Sequence, residues 1–387
     1  MTVAAEPAAA GQVPATQAPP RLDWPFFLAA TLAAALLVAL ILVDAQWASA
    51  ALVLLGFALG VAFLKFEFSF TAAWRRFITR GQGDGLIAGL LLIAVAATAI
   101  VPVTALVPGF GGAIAPLGVS LVLGAFVFGI GMQLANACGS GTLYTMGGGS
   151  GRMLITLAFF ILGSVIGSLH LPAFLALGGI DPVLAKDYLG AWGGLALTLA
   201  SLAAAAALVV AVARRRGANV WPGRKLIAGA IVIGLLSIAV FAAGGHPWSV
   251  TFGFTLWGGK IANALGFDLS SAPFWQWPGP KHALGNSVLS DTSSLTDFGM
   301  IFGAMAAAAF GRPFARNTWP PLASLLAAAF GGLLMGWGAR LGFGCNIGAF
   351  VGGVASGSLH GWIWFACALG GCVVGIRLRP LFGLSRE

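Results

Sequence analysis

Apolar runs separated by short polar breaks set the pattern of this chain. The runs cover residues 26–43, 48–64, 85–107, 114–136, 153–171, 190–213, 225–243, 295–311, 320–341 and 358–376. Each approaches the ~20 residues that a helix needs to cross the hydrocarbon core of a bilayer. In that core every backbone N–H and C=O must be satisfied within the protein, so runs of this length read as helices. The stretch 246–293 differs: it is apolar, but Pro, Gly and Trp interrupt it repeatedly. The pattern predicts an all-α, polytopic membrane protein.

Charge then orients the runs. Only 8% of the 387 residues are charged, against about a quarter in a soluble domain. The net charge of +9 sits at the ends of runs, where it acts as a topology signal rather than a nucleic-acid surface. Arg21, then Arg75, Arg76 and Arg80, then Arg214, Arg215, Arg216, Arg224 and Lys225, then Arg312 and Arg316, and finally Arg377, Arg379 and Arg386 mark the cytoplasmic side. Both termini are expected there, in a multi-pass protein of a bacterial inner membrane. Parity leaves 246–293 an even number of crossings, most simply none, so re-entrant half-helices on the outer side are expected. Residues 1–22 are Ala/Pro-rich and read as a disordered tail. They lack the apolar core of a signal peptide.

An internal repeat emerges at an ungapped offset of 207 residues. Gly124, Gly129, Gly131, Leu134, Cys138 and Gly141 meet Gly331, Gly336, Gly338, Leu341, Cys345 and Gly348, and Leu162–Gly163 meet Leu369–Gly370. Parity sends the two copies in opposite directions, as in the inverted repeats of many transporters. The expected division is a first repeat at 23–189, an inverted second at 190–380 and a tail at 381–387. The Gly-rich turns 135–151 and 342–362 would interrupt helices at membrane depth. Glycine supplies the dihedrals, and half-helix N-termini supply free N–H groups for an anion. The plainer alternative is a pair of tight turns with packing glycines.

The most specific segment, GCNIGAFVGGVASGSLHGW, is supported by SDTSSLTDFG (290–299) and PWSVTFGFTLWGGK (247–260). With these, the chain resembles the YeeE/YedE family of membrane proteins from about residue 48 to 378. The resemblance implies thiosulfate uptake, two inverted halves forming an hourglass, and short re-entrant helices meeting at a central constriction. It implies three cysteine thiols that hold the anion and pass it along. Two fall on Cys138 and Cys345. The third falls on Ser69 in KFEFSFTAAWRR (65–76), and Glu67 stands where the family has a basic residue. It also implies a cytoplasmic partner, a small sulfur carrier of the TusA type. Thiols suit thiosulfate, whose terminal sulfur is soft and whose oxygens are hard. They are weak donors, and conduction needs binding weak enough to release.

The candidate substrate-binding set is Cys138, Cys345, Ser69, Asn136, Asn346, Gly139, Gly344, Lys260 and Arg340. Lys260 and Arg340 enter as charges within apolar stretches, and Asn136 and Asn346 as polar neighbours of the cysteines. Cys367 and Cys372 read as core residues. His246, His282 and His360 form no ligand-spaced cluster, so no metal site is expected, and no cofactor either. No GxxxxGK[ST] motif is present, so the chain is not expected to be an ATPase. The leading expectation is a transporter, not an enzyme, for thiosulfate or a related sulfur anion. A membrane thiol or sulfur oxidoreductase is the alternative, distinguished by a Cys138–Cys345 disulfide. A passive assembly subunit is the third reading.

Overall fold

The computed structural model describes residues 22–44, 46–310 and 320–386. Arg21, Arg312, Arg316 and all but the last residue of the 1–22 tail lie outside the described residues. The described residues build sixteen α-helices: α1 (Trp24–Val43), α2 (Trp47–Phe66), α3 (Phe70–Arg80), α4 (Asp84–Leu106), α5 (Val119–Ala135), α6 (Gly139–Gly147), α7 (Gly151–Leu175), α8 (Ala185–Arg215), α9 (Arg224–Gly244), α10 (Thr251–Ala264), α11 (Pro273–Gln276), α12 (Pro278–Gly285), α13 (Thr292–Ala309), α14 (Leu322–Leu341), α15 (Gly352–Ala355) and α16 (Leu359–Leu378). A π-helical turn at Asn346–Val351 leads into α15. One two-stranded antiparallel pair, β1 (Leu117–Gly118) with β2 (Gly179–Ile180), ties two loops together. The protein is thus an all-α polytopic membrane protein.

Among the described residues, nine helical stretches are long and apolar enough to cross a membrane. Three of the nine are broken once: Trp47–Arg80 at Ser69, Val119–Gly147 at Cys138, and Leu322–Ala355 at Cys345. The run expected at 295–311 forms α13, which is not one of the nine. Its first turns carry Thr292, Ser293, Ser294, Thr296 and Asp297, and these lower its hydropathy. Helix α10 has 14 residues, about 21 Å at 1.5 Å per residue, too short for a hydrocarbon core of ~30 Å. Leu32, Leu36 and Leu40 of α1 and Leu197 and Leu208 of α8 are exposed. In a bilayer these faces meet lipid.

Glycine seams fix the helix directions, because small residues let backbones touch. A Cβ at Gly56 would lie 2.3 Å from the Thr296 carbonyl, and one at Gly60 would lie 2.1 Å from that of Met300, so α2 and α13 run parallel. Helices α5 and α14 are antiparallel: Gly124 abuts Gly338 and Gly342, and Gly131 abuts Gly331. This contact is reciprocal under the 207-residue offset, since Gly331 and Gly338 are the counterparts of Gly124 and Gly131. Helix α7 runs parallel to α14, with Gly163 on Leu333 and Gly167 on Trp337. Helix α16 runs parallel to α5, with Gly371 on Phe126 and Gly375 on Ile130. These are the same contacts shifted by 207 on one helix and 208 on the other. The ungapped alignment therefore slips by one residue after Cys345, and Gly163 corresponds to Gly371 rather than Gly370. The π turn, absent from the α6 side, accommodates the extra residue.

Basic loops gather at one end. Arg216 donates to the Ile78 carbonyl at 3.1 Å, Gly83 N–H to Asn219 at 2.8 Å, and Lys225 pairs with Glu67 at 2.9 Å. Arg75 and Arg379 both reach the α5 C-terminus. The β1–β2 pair, the Gly111-to-Gly245 bond and the Ala113-to-Ser356 bond close the opposite end.

The tightest seam gives a stability test. A Cβ at Gly303 would sit 1.9 Å from the Phe57 carbonyl oxygen, whereas Gly279 has nothing within 4 Å. Gly303→Val is expected to lower stability by about 3 kcal/mol, the upper end of overpacking costs. Gly279→Val is expected to leave it unchanged. Thermal unfolding in detergent reads the difference, and equal midpoints would contradict the seam.

Candidate functional site

The breaks at Ser69, Cys138 and Cys345 use the same turn, unlike the kink at Gly190 in α8. Among the described residues, three non-glycine residues have left-handed backbone: Glu67 (φ 54), Asn136 (φ 62) and Phe343 (φ 60). Such a conformation costs an L-residue roughly 1–2 kcal/mol, and observed outliers of this kind cluster at functional sites. Each stands two residues before the residue that precedes a short helix: Ser69 caps α3, Cys138 caps α6, and Cys345 precedes the π turn. The two cysteines share a backbone conformation, with φ, ψ of −100, −169 for Cys138 and −111, −165 for Cys345. The turn before Cys345 also needs Gly344, whose φ of 148 leaves a Cβ only 2.7 Å from the Ala349 nitrogen.

The caps hold the first amides loosely. Ser69 Oγ accepts from Ala72 N at 3.3 Å. Cys138 Sγ accepts from Gly141 N at 3.3 Å and lies 3.5 Å from Ser140 Oγ. The amides of Ile347 and Gly348 face the Cys345 thiol. The remaining first-turn amides have no partner within their own helix.

The short helices start close together. A Cβ at Gly139 would meet Cys345 Sγ at 3.0 Å and the Thr251 methyl at 3.4 Å, which joins the starts of α6, the π turn and α10. Thr71, in the first turn of α3, faces the Cys138 thiol. Tyr144 on α6 donates to the Phe68 carbonyl at 3.2 Å and lies beside Ser69. Cys138 and Cys345 are buried, and all four cysteines are free thiols. Several buried polar atoms around them have no partner: Thr71 Oγ1, Trp248 Nε1, both ends of the Asn346 amide and both Asp297 oxygens. Unsatisfied polar atoms are rare in protein interiors. Thr71 Oγ1, Trp248 Nε1 and the Asn346 amide nitrogen can donate, whereas the Asn346 and Asp297 oxygens are acceptors.

Helix C-termini near the site are, by contrast, satisfied. The last carbonyls of α5 accept from arginines: Gln133 from Arg379, and Leu134 and Ala135 from Arg152. In α14, Leu341 accepts from Ser120 Oγ at 2.8 Å, and Gly338 and Ala339 from Gly342 and Gly344. The negative ends are neutralised, and the positive ends stay open.

The sequence-derived candidates separate into two groups. Cys138, Cys345, Asn346, Gly139 and Gly344 converge, and Ser69 occupies the equivalent turn beside Tyr144. Asn136 instead is exposed, and its carbonyl oxygen accepts from Arg75 at 2.6 Å and Arg379 at 3.4 Å. Lys260 donates to the Leu284 and Asn286 carbonyls, pinning an outer loop. Arg340 stacks 5.1 Å over the Phe274 ring, with Nε and Nη1 unpartnered. Cys367 lines an apolar groove with Val119, Val122 and Phe126, and Cys372 lies in the core beside Gln133 and Arg75. His360 meets Ser358 Oγ at 2.8 Å. No metal-binding cluster occurs among the described residues. Sequence reasoning missed Thr71, Thr251 and Asp297. The last was accessible, because a carboxylate within an apolar run is itself a functional signal.

The chain matches the family model described as "Sulphur transport" over residues 65–374. It is 33% identical over 154 residues to the probable transporter YedE of Escherichia coli (strain K12), covering 39% of this chain and 37% of that protein. YedE of Salmonella typhimurium matches to the same extent. The chain thus spans little more than a third of the length of these two relatives. It is 29% identical over 261 residues to the thiosulfate transporter TsuA of Spirochaeta thermophila, covering 62% of this chain and 72% of that protein. With most of its length matched by the family model and transporters as its relatives, this multi-pass membrane protein belongs to the YeeE/YedE sulphur-transport family, a family of transporters and not of enzymes.

Proposed function

We propose that the chain carries thiosulfate, or a closely related sulfur oxyanion, inward across a bacterial inner membrane along a path lined by the Cys345 and Cys138 thiols. The observation that supports this most is the shared turn: three left-handed residues set Ser69, Cys138 and Cys345 at three helix starts, beside unpartnered donors. The reciprocal α5–α14 contact supports two inverted repeats, 23–189 and 190–380, related by a pseudo-twofold axis. On that reading, α3, α6, α10 and the π turn are the half-helices of the constriction, and the basic end with both termini is cytoplasmic.

The anion enters from the end opposite the arginines of the basic end and meets Arg340, whose Nε and Nη1 have no hydrogen-bond partner. Its oxygens then accept from first-turn amides, Thr71 and Asn346, while its terminal sulfur takes the two S–H donors in turn. Arg75, Arg152 and Arg379 draw it to the cytoplasmic mouth, where a TusA-type sulfur carrier receives it. Thiols hold such an anion without trapping it. Ser69 offers a hydroxyl at the third station, a donor without a polarizable sulfur. The oxidoreductase alternative needs a paired Cys138–Cys345, whereas both thiols are free.

Removing one thiol donor is expected to cost about 1–3 kcal/mol of anion binding, roughly five- to a hundredfold. Cys345→Ala should therefore cut thiosulfate uptake into liposomes by at least fivefold, with Cys367→Ala at the parental rate. Equal uptake by Cys345→Ala and the parent would remove the thiol path. Ser69→Cys is expected to speed thiosulfate uptake relative to sulfate, read as the ratio of the two fluxes. An unchanged ratio would mean that the third turn only caps its helix.

A further inference from the structure

Asp297 stands apart from the groups already used. Its side chain is wholly buried at the core of the protein, and neither carboxyl oxygen has a hydrogen-bond partner. It belongs to α13, one turn beyond Ser294. Gly253, in the first turn of α10, lets that helix come so close that a Cβ there would lie 2.7 Å from Asp297 Oδ2. Cys345 lies within electrostatic reach of the carboxyl.

A way in from outside is also present. A cavity of about 500 Å³ is lined by His246, His282, Ser290 and Asp291, among others. Asp291, at the start of α13, is one of the lining residues and accepts from Ser294 N and Ser294 Oγ, both at 2.7 Å. Ser294 Oγ in turn accepts from Trp257 Nε1 at 2.9 Å. Burial pushes the Asp291 carboxyl up from its ordinary value, against the lowering effect of the Ser294 bonds. Asp291 is thus suited to pick up a proton from the cavity, and it lies within electrostatic reach of Asp297.

The other charged groups around α13 are engaged elsewhere. On α10, Lys260 turns to the Leu284 and Asn286 carbonyls. On α6, Tyr144 turns to Phe68, and Cys138 is held in its own cap. On α2, Lys65 and Glu67 lie at the basic end, where Glu67 pairs with Lys225. On the N-terminal side of α1, Asp23 meets the far end of α13 through the Ala309 carbonyl. Asp291 and Cys345 are therefore the titratable groups that face Asp297.

We propose that Asp297 is the coupling group of this transporter: it takes up one proton from the outer cavity, by way of Asp291, when an anion binds at the thiols. The inference rests on the thiosulfate reading above and adds its coupling ion. A dianion beside an ionised carboxylate in a dry interior is strongly disfavoured, because both charges are negative and little water screens them. Protonation removes that repulsion, so anion and proton bind together. The proton moves from cavity water to an Asp291 oxygen and on to an Asp297 oxygen, and no bond to the anion forms or breaks. Linkage sets the sign: affinity is highest at low pH and falls tenfold per pH unit once pH exceeds the carboxyl's pKa.

Calorimetric titration of the purified full chain with thiosulfate, in phosphate and in Tris, measures protons taken up per anion. Up to one proton per anion is expected for the parent, reached where the pH exceeds the carboxyl's pKa in the empty site, and none at any pH for Asp297→Asn, whose affinity should be flat across about pH 5 to 9. Proteoliposomes with a pH dye inside should acidify on adding external thiosulfate, for the parent and not for Asp297→Asn. Asp291→Asn should slow acidification, which keeps the proposal testable if Asp297→Asn fails to fold. Thiosulfate binding with no proton uptake, or with equal uptake by Asp297→Asn, overturns the coupling and leaves the thiosulfate reading standing. No thiosulfate binding by the parent overturns both.

Discussion

A helix that breaks inside a bilayer leaves up to four amide donors with no water to satisfy them. The rest of this structure follows from how the chain meets that constraint. It breaks three of its long apolar stretches, at Ser69, Cys138 and Cys345, and turns each through one left-handed residue. A capping side chain takes one amide and leaves others free. The carbonyl ends next to these breaks are closed by Arg152, Arg379 and Ser120. The result is a buried region in which first-turn amides, Thr71 and the Asn346 amide stay open beside the unpartnered Asp297 carboxyl.

Close helix packing makes such a region possible. The glycines of α2, α5, α13 and α14 bring backbones into contact, so polar turns sit behind a dry wall instead of facing lipid. Without those seams the same turns would have to be satisfied by penetrating water or would not form. On the proposed path, the glycines and the cysteines would serve one purpose from two sides: one set excludes solvent, and the other offers weak, reversible donors.

Much of this was legible in the sequence. Run lengths gave the membrane helices, basic residues marked one end, and paired cysteines in Gly-rich turns marked the breaks. The left-handed residues were not legible: Glu67, Asn136 and Phe343 share no side-chain chemistry, and only backbone geometry shows that they do one job. Asn136 drew attention as a ligand because amides bind anions, yet its conformation and its two arginine partners explain its presence. The single-residue slip after Cys345 was also hidden, because a π turn has no compositional signature. Asp297 is easily passed over in the sequence, because it lies at the start of an otherwise apolar run and within a segment, 290–299, that supports the resemblance as a whole.

The π turn bears on how an inverted repeat can work. A strict twofold axis would give Cys138 and Cys345 identical surroundings, and an anion between them would sit in one symmetric well. The extra residue in Asn346–Val351 widens the turn on one side only and leaves Asn346 unpartnered there. The Cys138 side instead has a regular helix, a bonded cap and arginines behind it. Asp297 adds a further difference, because it lies near Cys345. Two unequal wells separated by a short step favour passage over capture, since binding at each must be strong enough to enter and weak enough to leave. On the proposed path, that departure from symmetry would make the two matching turns successive stations rather than one trap.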